Sequence, residues 1–148
     1  MPKSYASGLV PASADDVWGL IRDYNGLPGW HPAIEASDIE GGGSGQEVGC
    51  VRRLTLADGG SVAERLLTLD DAGRSYTYEF TNAGPFPVRS YHSTISVTPV
   101  TATGHAFVQW WAWFDADTDA EAEAQLATTF ADAVFAAGIA ALGERFDG

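Results

Sequence analysis

Two side chains in this sequence stand where acid–base chemistry could use them. Glu64 lies between Val62 and Leu66 in a stretch whose alternation turns that face inward. A carboxylate there is costly unless paired or neutralised, and burial would raise its pKa. It would serve as a general acid or base, or anchor a ligand hydroxyl or amine. The other reading is an internal ion pair with Arg52, which parity puts on the same face as Leu54 and Leu56. His31, in Trp30-His31-Pro32, carries an imidazole that titrates near neutral pH. It would act as a general base or hold a ligand carbonyl, or else be a structural or solvent-facing residue. Tyr91 and Ser93 add hydroxyls to the face of Glu64, whereas His92 and His105 read as surface residues.

Flat apolar walls accompany these groups. Tyr76, Tyr78, Phe80, Trp110 and Phe130 suit an aromatic or polycyclic ligand, although plain core packing accounts for Tyr76. Trp111 and Trp113 have the opposite parity to Trp110, which puts them on an outer face as a homodimer contact unless a bulge flips the strand. Other chemistries lack their motifs. Gly41-Gly42-Gly43-Ser44-Gly45 has no following Lys-Ser/Thr and reads as a flexible connection, not a phosphate loop. No histidine pair has metal spacing, no Gly-x-Ser-x-Gly elbow occurs, and nothing requires a cofactor.

Composition narrows the setting. The 148 residues fit one domain, 1–148, and 45% hydrophobic against 19% charged residues describes a folded chain. A net charge of −12 leaves no basic surface for nucleic acid or for anionic membranes. Cys50 is alone, so there is no disulfide framework. Residues 1–10 lack the basic start and apolar run of a signal peptide, and no apolar stretch is read as approaching the about 20 residues of a membrane span. The expected compartment is the cytoplasm.

The elements that must position these side chains follow from periodicity. Residues 4–10 read as a strand ended by Pro11, and Ser13-Ala14-Asp15-Asp16 reads as a capping box. Val17, Leu20, Ile21 and Tyr24 then give a short amphipathic helix over 13–24, followed by a Pro- and Trp-containing turn or second short helix. Between residues 34 and 115 the period is two, with strands expected at 34–40, 49–57, 61–69, 75–81, 88–98 and 105–115. Asp58-Gly59 and Asp70-Asp71-Ala72-Gly73 supply tight turns, so neighbouring strands are antiparallel. Tyr76, Tyr78 and Phe80 share the covered face, as do Tyr91, Ser93, Ile95 and Val97. A second capping box, Thr118-Asp119-Ala120-Glu121, opens a helix to about residue 146, with Leu126, Phe130, Val134, Ala137 and Ala141 on one face. At 1.5 Å per residue it spans roughly 40 Å, enough to cover the sheet.

This order resembles the helix-grip fold of the START/Bet v1-like superfamily. Val48-Gly49-Cys50-Val51-Arg52, Glu64-Arg65-Leu66-Leu67-Thr68-Leu69-Asp70-Asp71, Ser90-Tyr91-His92-Ser93 and Phe130-Ala131-Asp132 resemble strands and the last helix of its plant abscisic-acid-receptor branch. The chain is also similar to bacterial polyketide cyclase/dehydrase-like proteins. The resemblance implies an α+β fold: a curved antiparallel sheet of about seven strands wrapped on a long C-terminal helix, with two short helices after the first strand. It implies a cavity lined by His31, Leu54, Leu56, Val62, Glu64, Tyr78, Phe80, Val88, Tyr91, Ser93, Trp110, Phe130 and Val134.

The departures matter as well. His31 stands where the receptors have a pocket lysine, and Lys3 is the only lysine present. The receptors' gate loop is replaced by Ala57-Asp58-Gly59-Gly60, and their latch by Gly84-Pro85-Phe86-Pro87. A phosphatase-recruiting switch and lysine-dependent condensation are therefore not expected. What is expected is a cavity for an aromatic, polyketide-like or isoprenoid molecule, with cofactor-free cyclisation, dehydration or isomerisation by His31 and Glu64. Tyr91 would donate to a developing enolate oxygen. The alternatives are a non-catalytic carrier or sensor, and a structural partner using Trp111 and Trp113.

Overall fold

The computed structural model describes residues 3–147. Seven antiparallel strands form one sheet in the order β1-β7-β6-β5-β4-β3-β2. They are β1 (Ser4–Val10), β2 (Ile34–Ile39), β3 (Val51–Leu56), β4 (Ser61–Asp70), β5 (Ser75–Asn82), β6 (Val88–Pro99) and β7 (Ala106–Ala116). Strands β2 to β7 form a meander, and the chain reaches β2 from β1 by crossing to the opposite edge. The helix-grip expectation holds, with strand ends displaced by one or two residues.

The crossing uses α1 (Ala14–Ile21) and a 3-10 turn (Tyr24–Gly29). Ser13 caps α1 by accepting from the Asp16 N–H at 3.1 Å. The helix stops at Ile21, short of the expected Tyr24, because Gly26 and Pro28 favour a tighter turn. Asp71, in the β4–β5 turn, holds α1 in place. Its carboxylate accepts from Trp18 Nε1 at 2.8 Å and from Arg22 Nε at 2.7 Å.

The C-terminal helix runs continuously over Ala120–Phe146, as α2 (Ala120–Thr129), a π-helical segment (Phe130–Ala136) and α3 (Ala137–Phe146). Asp119, not Thr118, caps it, accepting from Ala122 N–H at 2.8 Å. The π segment also changes the buried face. Leu126, Phe130, Phe135, Ile139 and Leu142 are buried, so from residue 135 onward the stripe sits one position beyond the regular reading. The helix is by length and composition apolar enough for a membrane span, which the sequence reading did not register. In this fold that stripe is part of the core between helix and sheet.

The one register shift beside β7 lies at Val88/Ser90, opposite Ala116 and Asp115, so pairing from Trp110 to Trp113 is regular and no bulge flips their parity. Trp110 is buried inward, whereas Trp111 is half-buried and Trp113 is 49% exposed on the outer face.

Candidate functional site

Between the inner face of the sheet and the π segment lies a cavity of about 320 Å³. Leu54, Leu56, Val62, Glu64, Tyr78, Phe80, Tyr91 and Trp110 line it from β3 to β7, and Phe130 and Val134 from the helix. His31 joins them from the segment before β2. Two expected residues do not reach it. Ser93 is buried, but its short side chain donates to the Trp111 carbonyl at 2.9 Å. Val88 lies beyond a register shift and pairs with Ala116, two pairs past Tyr91 and Phe114. Sequence reasoning missed Leu27, Ala33, Ile34, Ala57, Asp58, Phe86, Thr129 and Ala133. Most of these sit on turns, where period-two alternation carries no signal. Thr129 and Ala133 are exposed and border the cavity at its rim, beside Phe130 and Val134.

The walls are aromatic and interlocked. Phe80 stacks on Tyr91 at 4.0 Å between ring centroids, and Phe130 touches Tyr91 and Phe86 at 5.0 Å each. Such pairs add to area burial and fix ring orientation.

The polar heart of the cavity is built by cross-strand pairing of Arg52 with Glu64. Arg52 Nε donates to Glu64 Oε1 at 2.9 Å, and Nη2 lies 2.8 Å from the same oxygen, too oblique for a hydrogen bond. Nη1 donates to the Tyr24 carbonyl at 2.6 Å, and the guanidinium sits 3.8 Å from the centroid of the Tyr24 ring. Arg52 is fully buried and Glu64 nearly so. Both nitrogens facing Glu64 converge on Oε1. Among the described residues Oε2 has no hydrogen-bond partner, and it keeps some exposure. Glu64 therefore presents one oxygen to the cavity.

Burial pushes the Glu64 carboxyl above its usual range, while the charge and hydrogen bond of Arg52 draw it back. Burial also pushes the Tyr78 and Tyr91 phenols up, so both stay protonated at neutral pH. Tyr78 accepts from Trp110 Nε1 at 3.2 Å, and the hydroxyl of Tyr91 neighbours those of Tyr78 and Ser93.

His31 faces the cavity with both ring nitrogens engaged. The Ala33 N–H reaches Nδ1 at 3.1 Å, so Nδ1 must be the unprotonated acceptor. The proton is then on Nε2, which donates to the Val134 carbonyl at 2.7 Å. Burial holds this imidazole below its ordinary pKa and so keeps it neutral. Acting as a base would require giving up the contact with Ala33. In this geometry His31 ties the segment before β2 to the helix.

No cluster of three or more His, Cys, Asp or Glu residues set to hold a metal occurs among the described residues.

Comparison with known proteins agrees with this architecture. The model of the family described as polyketide cyclase / dehydrase and lipid transport matches residues 1–147. A putative uncharacterised protein from Bacillus thuringiensis is 34% identical, with 98% of each chain covered and a TM-score of 0.83. The protein XoxI from Bacillus cereus is 33% identical over 97% of this chain and 94% of that one, with a TM-score of 0.82. The ZhuI aromatase/cyclase from Streptomyces sp. R1128 shares the fold at 18% identity, with a TM-score of 0.77 over 97% and 92% of the two chains. No functionally curated protein matches the chain. Sequence and fold together place the chain in the polyketide cyclase / dehydrase and lipid transport family.

Proposed function

We propose that the chain binds a small, mostly apolar aromatic molecule in this cavity and that Glu64 exchanges a proton with it, without a cofactor. The observation that carries this reading is the free Oε2 of Glu64 in an otherwise apolar, aromatic enclosure. A carboxylate so placed has one lone-pair face for substrate and a fixed cation behind it, which suits removing and returning a proton next to a carbonyl. Tyr91, protonated and on the same wall, supplies a donor for the oxygen on which charge develops. His31 holds the wall in place. The reactions within reach are cyclisation and dehydration, which the family description names, and isomerisation.

A carrier or sensor is the second reading, and the Arg52 contact favours it, because a carboxylate held by a buried guanidinium is a weaker base. Two measurements separate the readings. Native mass spectrometry of the protein from its own source, followed by denaturation, is expected to release a small apolar molecule. Incubation of that molecule with the wild type and with Glu64→Gln then decides: turnover by the wild type alone supports proton transfer. Recovery of unchanged ligand from both would leave a carrier. A protein that is empty at source and stays empty in a broad ligand screen would sink both. Trp111 and Trp113 lie on the opposite face, so exchanging both for serine is expected to leave ligand binding unchanged.

A further inference from the structure

Resting on the reading that this cavity is the ligand site, we infer that its occupant is a neutral hydroxy-aromatic molecule of one or two rings, bound with its hydroxyl on Glu64 Oε2. A hydroxyl fits the hydrogen-bond inventory of the cavity. Arg52 takes Oε1, and no described residue supplies a donor to Oε2. A ligand that fills the cavity displaces solvent from this oxygen, and one bearing an O–H there gives the carboxylate a donor in exchange.

Neutrality follows from charge. The Arg52 cation and the Glu64 anion already compensate each other. The other ionisable groups bordering the cavity are His31, held neutral; Tyr78 and Tyr91, held protonated; and Asp58, on the exposed β3–β4 turn at the rim. A ligand carboxylate would meet Glu64 with like charge. A ligand ammonium would leave an unbalanced positive charge among Leu54, Val62 and Phe80. Either costs far more in an apolar enclosure than a neutral hydroxyl does.

Shape and size supply the rest. Phe80 and Tyr91 are stacked face to face, 12° apart in plane, and with Phe86 and Phe130 they make an aromatic lining against which a ligand ring packs. A volume of about 320 Å³ is at the small end of the roughly 300–1,000 Å³ range of ligand pockets. One or two rings fit that better than a long polycyclic chain.

The test uses four probes of one shape: naphthalene, naphthol, naphthoate and naphthylmethylammonium, titrated calorimetrically into the full chain at neutral pH. Naphthol is expected to bind at least roughly tenfold more tightly than naphthalene, as a hydrogen bond to a charged group implies. The two ions are expected to bind more weakly than naphthalene. In the Arg52→Met/Glu64→Leu double variant, which leaves neither charge stranded, the naphthol advantage is expected to vanish. Should that variant not fold, the side-chain carboxyl carbon resonance of Glu64 in the wild type gives the same answer, shifting with naphthol and not with naphthalene. Equal binding of naphthol and naphthalene, or tighter binding of either ion, would overturn the inference and leave the cavity reading standing. Failure of all four probes to bind would overturn both.

Discussion

His31 Nε2–H donates to the Val134 carbonyl over 2.7 Å, joining the segment before β2 to the π turn of the C-terminal helix. Both contacts of the ring together require it to be neutral, because Nδ1 must accept from the Ala33 N–H. Burial holds the folded-state pKa below the ordinary 6.5. As pH falls below 6.5 the unfolded chain takes up its proton before the folded one does, so stability falls until the lowered folded-state value is passed. Above 6.5 the contribution is fully present and flat. Urea-unfolding free energies from neutral to mildly acidic pH should therefore fall by at most about 1.4 kcal/mol per pH unit from this group. His31→Gln keeps an N–H donor but does not titrate, and its profile should lack that component. Parallel profiles for the two proteins would remove His31 as the cause.

The same junction depends on Gly138. A Cβ there would stand 2.7 Å from His31 Cδ2 and 2.8 Å from Trp110 Cζ3. Ala in place of Gly raises helix propensity by about 1 kcal/mol, whereas overpacking a filled core costs about 1–3 kcal/mol. Both neighbours are large buried rings, so the clash should win. Gly138→Ala is expected to lower stability by up to about 2 kcal/mol in denaturant titrations. A rise would show that the helix moves away from the sheet at little cost.

Arg52 and Glu64 should be strongly coupled. Removing one partner strands a buried charge, at about 3–5 kcal/mol. Arg52→Met and Glu64→Leu are each expected to lose that much, and the double variant to lose less than either alone, because apolar groups of similar volume replace the whole pair. A double-mutant cycle on unfolding free energies measures the coupling. Additive losses would mean that the pair is solvated and not a buried unit.

These cases also show what the sequence could reveal. Alternation in β5 and β6 was enough to place Tyr78, Phe80 and Tyr91 on the inner wall, because a strand buried on one face leaves period two no freedom. The pairing of Arg52 with Glu64 could be read the same way, since their parity on adjacent strands permits it. The π turn could not be read from a 3.6-residue period. Its trace is Phe135, five residues after Phe130, a spacing that regular helical reading passes over in favour of Val134. Nor could the state of His31 be read, since its partners are backbone groups from Ala33 and the distant Val134. Phe86 went unnoticed because it lies on a loop, where no periodicity reports which way a side chain faces.

Phe86 and Phe130 touch each other, yet they should answer differently to truncation. Phe130 is fully buried against Phe80, Phe86, Tyr91 and Phe114, so Phe130→Ala should cost about 3–5 kcal/mol. Phe86 is only half-buried, on the loop joining β5 to β6, and lines the cavity while keeping part of its ring in solvent. Its truncation removes fewer contacts, and part of the exposed surface is already in water, so the stability loss should be clearly smaller than for Phe130. It should instead change how fast a ligand passes. Stopped-flow fluorescence with naphthol is expected to show faster association and faster dissociation in Phe86→Ala, with the ratio of the two rates changed little. Unchanged rates would place the entrance elsewhere. A large rise in dissociation alone would make Phe86 part of the binding surface and not its cover.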